Sequence, residues 1–140
     1  MQNNYQENIT RVEFCILLEC MLEEKSDKAI DVLIEERGTP IQPPFDDALY
    51  IDVNTIARLG IIYGVGDNKF NPLGEITRQE AATMLYRTAK VLGYDTSATP
   101  TNFSGVASWA SQGVDFVVAN GIMFGTGNGF EPEGKYTLNP

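Results

Sequence analysis

The sequence predicts an all-α fold assembled from helix, glycine-rich loop, helix units, and three observations carry that prediction. One pattern, Ile-Thr-Arg-x-Glu, occurs at Ile9–Glu13 and again at Ile76–Glu80, each time directly ahead of an amphipathic run. A longer stretch, LGIIYGVGDNKFNPLGEIT at Leu59–Thr77, is echoed by NGIMFGTGNGFEPEGKYT at Asn120–Thr137. Helix-type apolar spacing recurs along the chain, whereas no sustained alternating run does. Self-similarity at 60 to 67 residues makes the chain an array of repeats.

The elements follow in order. Thr10 and Thr77 each have glutamate three positions on, the capping-box arrangement in which hydroxyl and carboxylate satisfy each other's backbone amides. Helices are therefore predicted over Arg11–Glu24 and Arg78–Leu92, the second stopped by Gly93. An inserted helix is expected over Asp27–Arg37, with Ile30, Leu33 and Ile34 as its apolar stripe, before the proline-rich TPIQPPF. Asp52–Leu59 forms the next helix, with Asp52 as N-cap and Gly60 as a left-handed stop. Its counterpart runs over Trp109–Ala119 and ends at Asn120-Gly121, after the linker YDTSATPTN. Short extended pairs are expected at GIIYG and GIMFG. The array is cut out of phase: residues 1–38 hold the rear of one repeat plus the insertion, 39–97 a complete repeat, and 98–140 the front of a third.

Composition narrows the function. A chain of 140 residues that is 43% hydrophobic buries a real core, and no apolar run reaches the length of a membrane span. The net charge of −9 repels a phosphate backbone, so nucleic acid is not expected as a partner. Histidine is absent, which removes its nucleophile activation and metal ligation; Cys15 and Cys20, five apart on one helix, diverge too far for a disulfide and are expected to be buried thiols. Neither a phosphate loop nor a calcium loop is completed around Gly64–Asn71, and Asp46-Asp47 cannot flank a glycosidic bond. No enzyme, metal or cofactor is expected. The polar start MQNNYQENIT is not expected to be a signal peptide, so if the protein is exported this chain is expected to be a mature segment or an excised piece of something longer.

The arginines raise the functional question. Arg11 and Arg78 fall at the first helical position, where the macrodipole disfavours a cation by roughly 0.3–1 kcal/mol. Two readings stand at this point. Helix amides and guanidinium fork could converge on a carboxylate or phosphate ligand, or each arginine could pair with an acid of the neighbouring repeat.

Taken together, Phe45-x-Asp47, Trp109-Ala110, Gly-Ile-x-x-Gly at Gly60–Gly64 and Gly121–Gly125, Phe-x-Pro at Phe70–Pro72 and Phe130–Pro132, and the two Ile-Thr-Arg-x-Glu sites resemble the S-layer homology repeat. The resemblance implies a pseudo-threefold bundle of three repeats with the rear helices at its centre, incomplete here. It implies noncovalent anchoring of a bacterial surface protein to secondary cell wall polysaccharide, typically through a pyruvylated amino sugar held between repeats, and hence an extracellular location. The alternative is a structural, protein-assembly module without direct glycan binding, in which the arginines make only interchain ion pairs. Arg11 and Arg78 match the motif arginine and inherit an anion-binding role. Trp109 matches the tryptophan and is a candidate to stack on a sugar. Asp46 is a candidate for a sugar hydroxyl, and Gly64 and Gly125 for close backbone approach to the ligand. The third unit departs from the pattern: Tyr136-Thr137-Leu138-Asn139-Pro140 has neither Arg nor Glu in its place. With two of three central helices, Phe14/Leu18/Met21 should face Ala81/Leu85/Leu92, and the seam left open is expected to be covered by the inserted helix or by a second copy of the chain.

Overall fold

Two threonine caps set the architecture. In the computed structural model, which describes residues 7–37, 45–47, 51–62, 67–125 and 129–138, helix α1 (Arg11–Ser26) starts at Thr10 and helix α4 (Arg78–Val91) at Thr77. Both capping boxes are complete. Glu13 accepts from the Thr10 amide at 2.9 Å and returns its own amide to Thr10 Oγ1 at 3.2 Å; Glu80 and Thr77 do the same at 2.9 and 3.3 Å.

The inserted helix α2 (Ile30–Arg37) begins three residues later than its composition suggests. Asp27 is in the left-handed region (φ 61°) and caps α1, and the first amide of α2 is satisfied by Glu23 Oε2 at 3.0 Å. Helix α3 (Ile51–Arg58) is the front helix of the middle repeat, with Asp52 inside its first turn and Gly60 left-handed after it (φ 78°). Its counterpart α5 (Ser111–Ala119) follows a 3-10 turn at Ser108–Ala110, so the predicted helix over Trp109–Ala119 is broken near its start.

Among the described residues the extended pairing lies elsewhere than at the glycine-rich pentapeptides: Gly60–Ile62 and Gly121–Gly125 join no ladder, and Tyr63-Gly64 lie outside the described residues. Strand β1 (Glu7–Asn8) instead pairs antiparallel with β2 (Thr137–Leu138), and single bridges join Thr10 to Glu75 and Thr77 to Lys135. Three backbone bonds then close a ring: Ile76 N–H to Ile9 O at 2.9 Å, Tyr136 N–H to Ile76 O at 2.9 Å, and Ile9 N–H to Tyr136 O at 3.4 Å. These residues precede the cap threonines Thr10 and Thr77 and, in the third unit, Thr137 of β2. A threefold arrangement is thus built at this end of the molecule from local extended segments.

Each rear helix packs on the front helix of the following unit, α1 on α3 and α4 on α5, and α1 also touches α4. One core joins Phe14, Leu18 and Leu22 of α1 to Val53 and Ile56 of α3 and to Ala81 and Met84 of α4, with Leu85 and Leu92 at its margin. Leu22 rather than Met21 continues the buried stripe. A second core lies between α4 and α5, around Ala82, Val114, Val117 and Phe130. Helix α2 packs against α1 and α3, leaving Ile16, Leu17 and Cys20 of α1 exposed, so it does not cover that face. The cysteines split: Cys15 is buried and its thiol is pushed up to about 12, chiefly by desolvation, whereas Cys20 is at the surface.

At the α1–α3 contact Glu19 meets Asp52. Burial, then a side-chain hydrogen bond and repulsion from Asp52, with a further contribution from Glu23, push Glu19 from 4.5 up to about 7. The folded state therefore prefers the protonated acid. Its stabilising contribution is complete below about pH 4.5 and is lost as pH rises through about 7. Because the side chain is only partly covered, the effect should be about 1 kcal/mol. Thermal melts from pH 4.5 to 8 should show Glu19→Gln gaining stability over the parent with rising pH; parallel profiles would contradict the shared proton.

Candidate functional site

Each arginine lies over an aromatic pair of its own, stacked under Arg11 and tilted under Arg78. Phe45 lies on Phe70 with ring centroids 5.3 Å apart, and the Arg11 guanidinium lies over Phe70 at 4.7 Å. In the next unit Phe103 meets Phe130 at 5.7 Å, and Arg78 lies over Phe130 at 4.6 Å. Each Nε donates to the carbonyl of the ring beneath it, Arg11 to Phe70 at 2.8 Å and Arg78 to Phe130 at 2.9 Å. The F-x-P phenylalanine of one repeat is thus the seat for the arginine of the repeat before it, through a cation–π contact and a backbone bond.

The helix amides do not join this arrangement as the first of the two readings required. Arg11 and Val12 donate to the carbonyls of Gly74 and Pro72 at 2.8 and 2.9 Å, and Arg78 and Gln79 to those of Gly134 and Pro132 at 2.7 and 3.0 Å. The glycine-rich loop of the following unit thereby consumes the first orphan donors of each helix, and the cap threonine takes the third. What remains for an anion is the guanidinium.

The two guanidinium groups differ in their last partner. Arg11 Nη1 binds Glu80 Oε2 at 2.6 Å while Glu80 Oε1 holds the Thr77 amide, and the Arg11 side chain is 8% exposed. Arg11 is therefore taken up by an acid of the neighbouring repeat, the second of the two readings open for it. Arg78 Nη2 donates to the Phe124 carbonyl at 2.6 Å, and among the described residues no carboxylate pairs with it. By the repeat register, the acid that would answer it falls at Pro140. Among the described residues, then, the Arg78 guanidinium has carbonyl and ring partners but no carboxylate.

The other candidates sort onto these two centres. Trp109, 54% exposed on the 3-10 turn, belongs with Arg78: the Ala107 amide donates to Gln79 Oε1 at 2.9 Å, which brings that turn to the first turn of α4. Gly125 is on the same side, but a Cβ there would stand 3.1 Å from the Phe103 ring, so the missing side chain admits that ring rather than a ligand. Asp46 lies on the Arg11 side, exposed, 3.7 Å from Lys69 Nζ. Its neighbour Asp47 is the residue with a structural task, accepting from the amides of Phe70 and Asn71 at 2.8 Å each, bonds that hold its carboxyl below the usual range. Gly64 lies outside the described residues. Phe124, 66% exposed, was missed; its only signal in the sequence is an aromatic within GIMFG, matched by Tyr63 in GIIYG. No cluster of acids and thiols able to hold a metal occurs among the described residues.

The S-layer homology domain model matches residues 46–82 and 103–137, just over half of the chain, in the two segments that supply the stacks and loops described above. The chain belongs to the S-layer homology domain family. It is similar to the S-layer protein sap of Bacillus anthracis, 36% identical over 83 residues, which is 59% of this chain and 10% of that protein. The surface-layer 125 kDa protein of Lysinibacillus sphaericus is 34% identical over 95 residues, 67% of the chain and 8% of the relative. An uncharacterized cell wall amidase of Bacillus anthracis is 34% identical over 86 residues, 61% of the chain and 16% of the relative. The chain thus spans a sixth or less of the length of these curated relatives. S-layer homology domains are binding modules that anchor surface proteins to the cell wall, and membership places the chain at the cell surface. Among the described residues no helix is long and apolar enough to cross a membrane.

Proposed function

We propose that this S-layer homology chain anchors its parent protein to the wall by binding an acidic secondary cell wall polysaccharide, of the pyruvylated kind, at Arg78. One observation carries the reading: Arg78 is oriented by Phe130 and two backbone carbonyls, yet has no carboxylate partner among the described residues. A sugar-borne carboxylate answers that charge, and the exposed Trp109 supplies a face for the ring beside it. Arg11, with its equivalent position occupied by Glu80, acts on this reading as the fastener between repeats. The same reading divides the chain into the rear of one repeat (1–38), a whole repeat (39–97) and the front of a third (98–140).

The test is binding to purified wall glycan before and after removal of the pyruvyl group. Loss of a charge-assisted contact at Arg78→Ala should cost about 1.5–3 kcal/mol, roughly a 10- to 150-fold weaker Kd. Arg78→Lys should recover only part of it, since a point charge lacks the fork. De-pyruvylated glycan should bind wild type and Arg78→Ala alike. Unchanged affinity of Arg78→Ala for the intact glycan would overturn the assignment.

A further inference from the structure

We infer that Phe124 is a stacking platform for the apolar face of an acidic sugar whose carboxylate is held by Arg78, so that the site selects acidic saccharides over simple carboxylates. This rests on the function proposed above and adds a specificity residue to it.

Among the described residues Phe124 is the most exposed of the large aromatic side chains, at 66% against 54% for Trp109 and 51% for Tyr94. The exposure does not come from a loose loop. Val117 O accepts from the amides of Ile122 at 2.8 Å and Met123 at 3.2 Å, and Met123 is itself buried at 4%. On the other side Gly125 is held against Phe103, whose ring fills the space a Cβ would need. The backbone on both sides of Phe124 is therefore fixed, and its ring is kept in water by anchored neighbours.

The same residue holds the guanidinium. Arg78 Nη2 donates to the Phe124 carbonyl at 2.6 Å, so the ring departs from the residue that orients the charged fork. A cation held by the carbonyl of a residue whose ring is exposed suits a ligand with an anionic group attached to a C–H-rich face, as in a pyranose bearing a carboxylate. Inorganic anions and small acids offer nothing to the ring. Phenylalanine has no polar atom, so its contribution is burial of apolar area on a pre-placed surface, which avoids the entropy of ordering a loop at binding.

Calorimetric titration with three probes tests this: a purified pyruvylated wall oligosaccharide, its de-pyruvylated form, and free pyruvate. Phe124→Ala should weaken the pyruvylated oligosaccharide about tenfold, and Phe124→Tyr should stay within about twofold of the parent. Free pyruvate should bind Phe124→Ala as it binds the parent, and the melting temperature should not move, because an exposed ring stabilises little. If Arg78→Ala loses the oligosaccharide while Phe124→Ala binds it normally, the platform is overturned and the anchoring site stands. If neither substitution affects binding, the proposed function fails and the platform with it. An equal loss in Phe124→Tyr and Phe124→Ala would also overturn it, since the aromatic face would then not be what matters.

Discussion

Arg11→Ala should lower the free energy of unfolding by about 2–4 kcal/mol, a far larger loss of stability than Arg78→Ala produces. The arginine is 7% exposed and makes three contacts that no other side chain replaces: Nε to Phe70 O, Nη1 to Glu80, and the face of the Phe70 ring. Truncation leaves the Phe70 carbonyl without its donor, Glu80 without its cation, and a void over the ring. Glu80 is 27% exposed and keeps the Thr77 amide, which holds the loss below that of a fully buried pair. The melting temperature should fall by on the order of 10 °C. Arg11→Lys should restore less than half, because one ammonium cannot serve both acceptors. Denaturant titration gives the number, and a loss under about 1 kcal/mol would mean that the pair is screened by solvent and contributes as a surface bridge does. Glycan binding, measured below the melting range, should survive Arg11→Ala and fail in Arg78→Ala.

Gly113→Ala should cost about 2 kcal/mol net and disturb binding as well. A Cβ at Gly113 would stand 2.8 Å from Thr83 Cα, 2.9 Å from Ala82 O and 3.0 Å from Ala82 C. All three are main-chain atoms of α4, so no side chain can swing aside and the helices must separate. Overpacking of this kind costs typically 1–3 kcal/mol, and a contact made with backbone belongs at or above the upper end. Alanine's better helix propensity returns at most about 1 kcal/mol. Separation of α5 from α4 would open the core around Val114 and Val117 and shift the turn that carries Trp109 relative to Arg78. A melt combined with wall-glycan titration should show both losses. Normal stability with Gly113→Ala would indicate that α4 and α5 do not approach this closely in solution.

Local rules account for what could be read from the residues alone. A capping box closes within three residues, so Thr10 with Glu13 and Thr77 with Glu80 announce two helix starts, and both form. Left-handed Gly60 and Gly93 lie where a stop was expected, because the requirement belongs to one residue. Adjacent residues were harder. Asp46 and Asp47 are indistinguishable by type, and only the turn that aims Asp47 at the amides of Phe70 and Asn71 separates a fastening carboxylate from an exposed one. Cys15 and Cys20 share a helix, and the position of α3 decides which faces the core.

Sequence by itself determined the repeat, the all-α class, the two threonine-capped helix starts and the identity of the two special arginines, since each follows from patterns spanning a few residues or from their recurrence. Tertiary structure alone decided which groups of the chain those arginines meet. Arg11 finds its acid 69 residues away, on the helix of the next repeat, and the distance between them exists only after α1 and α4 are brought together. Arg78 has the same local sequence and the same aromatic seat, but no acid stands at the matching place among the described residues. An ion pair depends on where two helices lie in space, whereas a cap depends on its own turn. Two matching Ile-Thr-Arg-x-Glu patterns can therefore start matching helices and still leave one arginine paired with an acid and the other, among the described residues, without one.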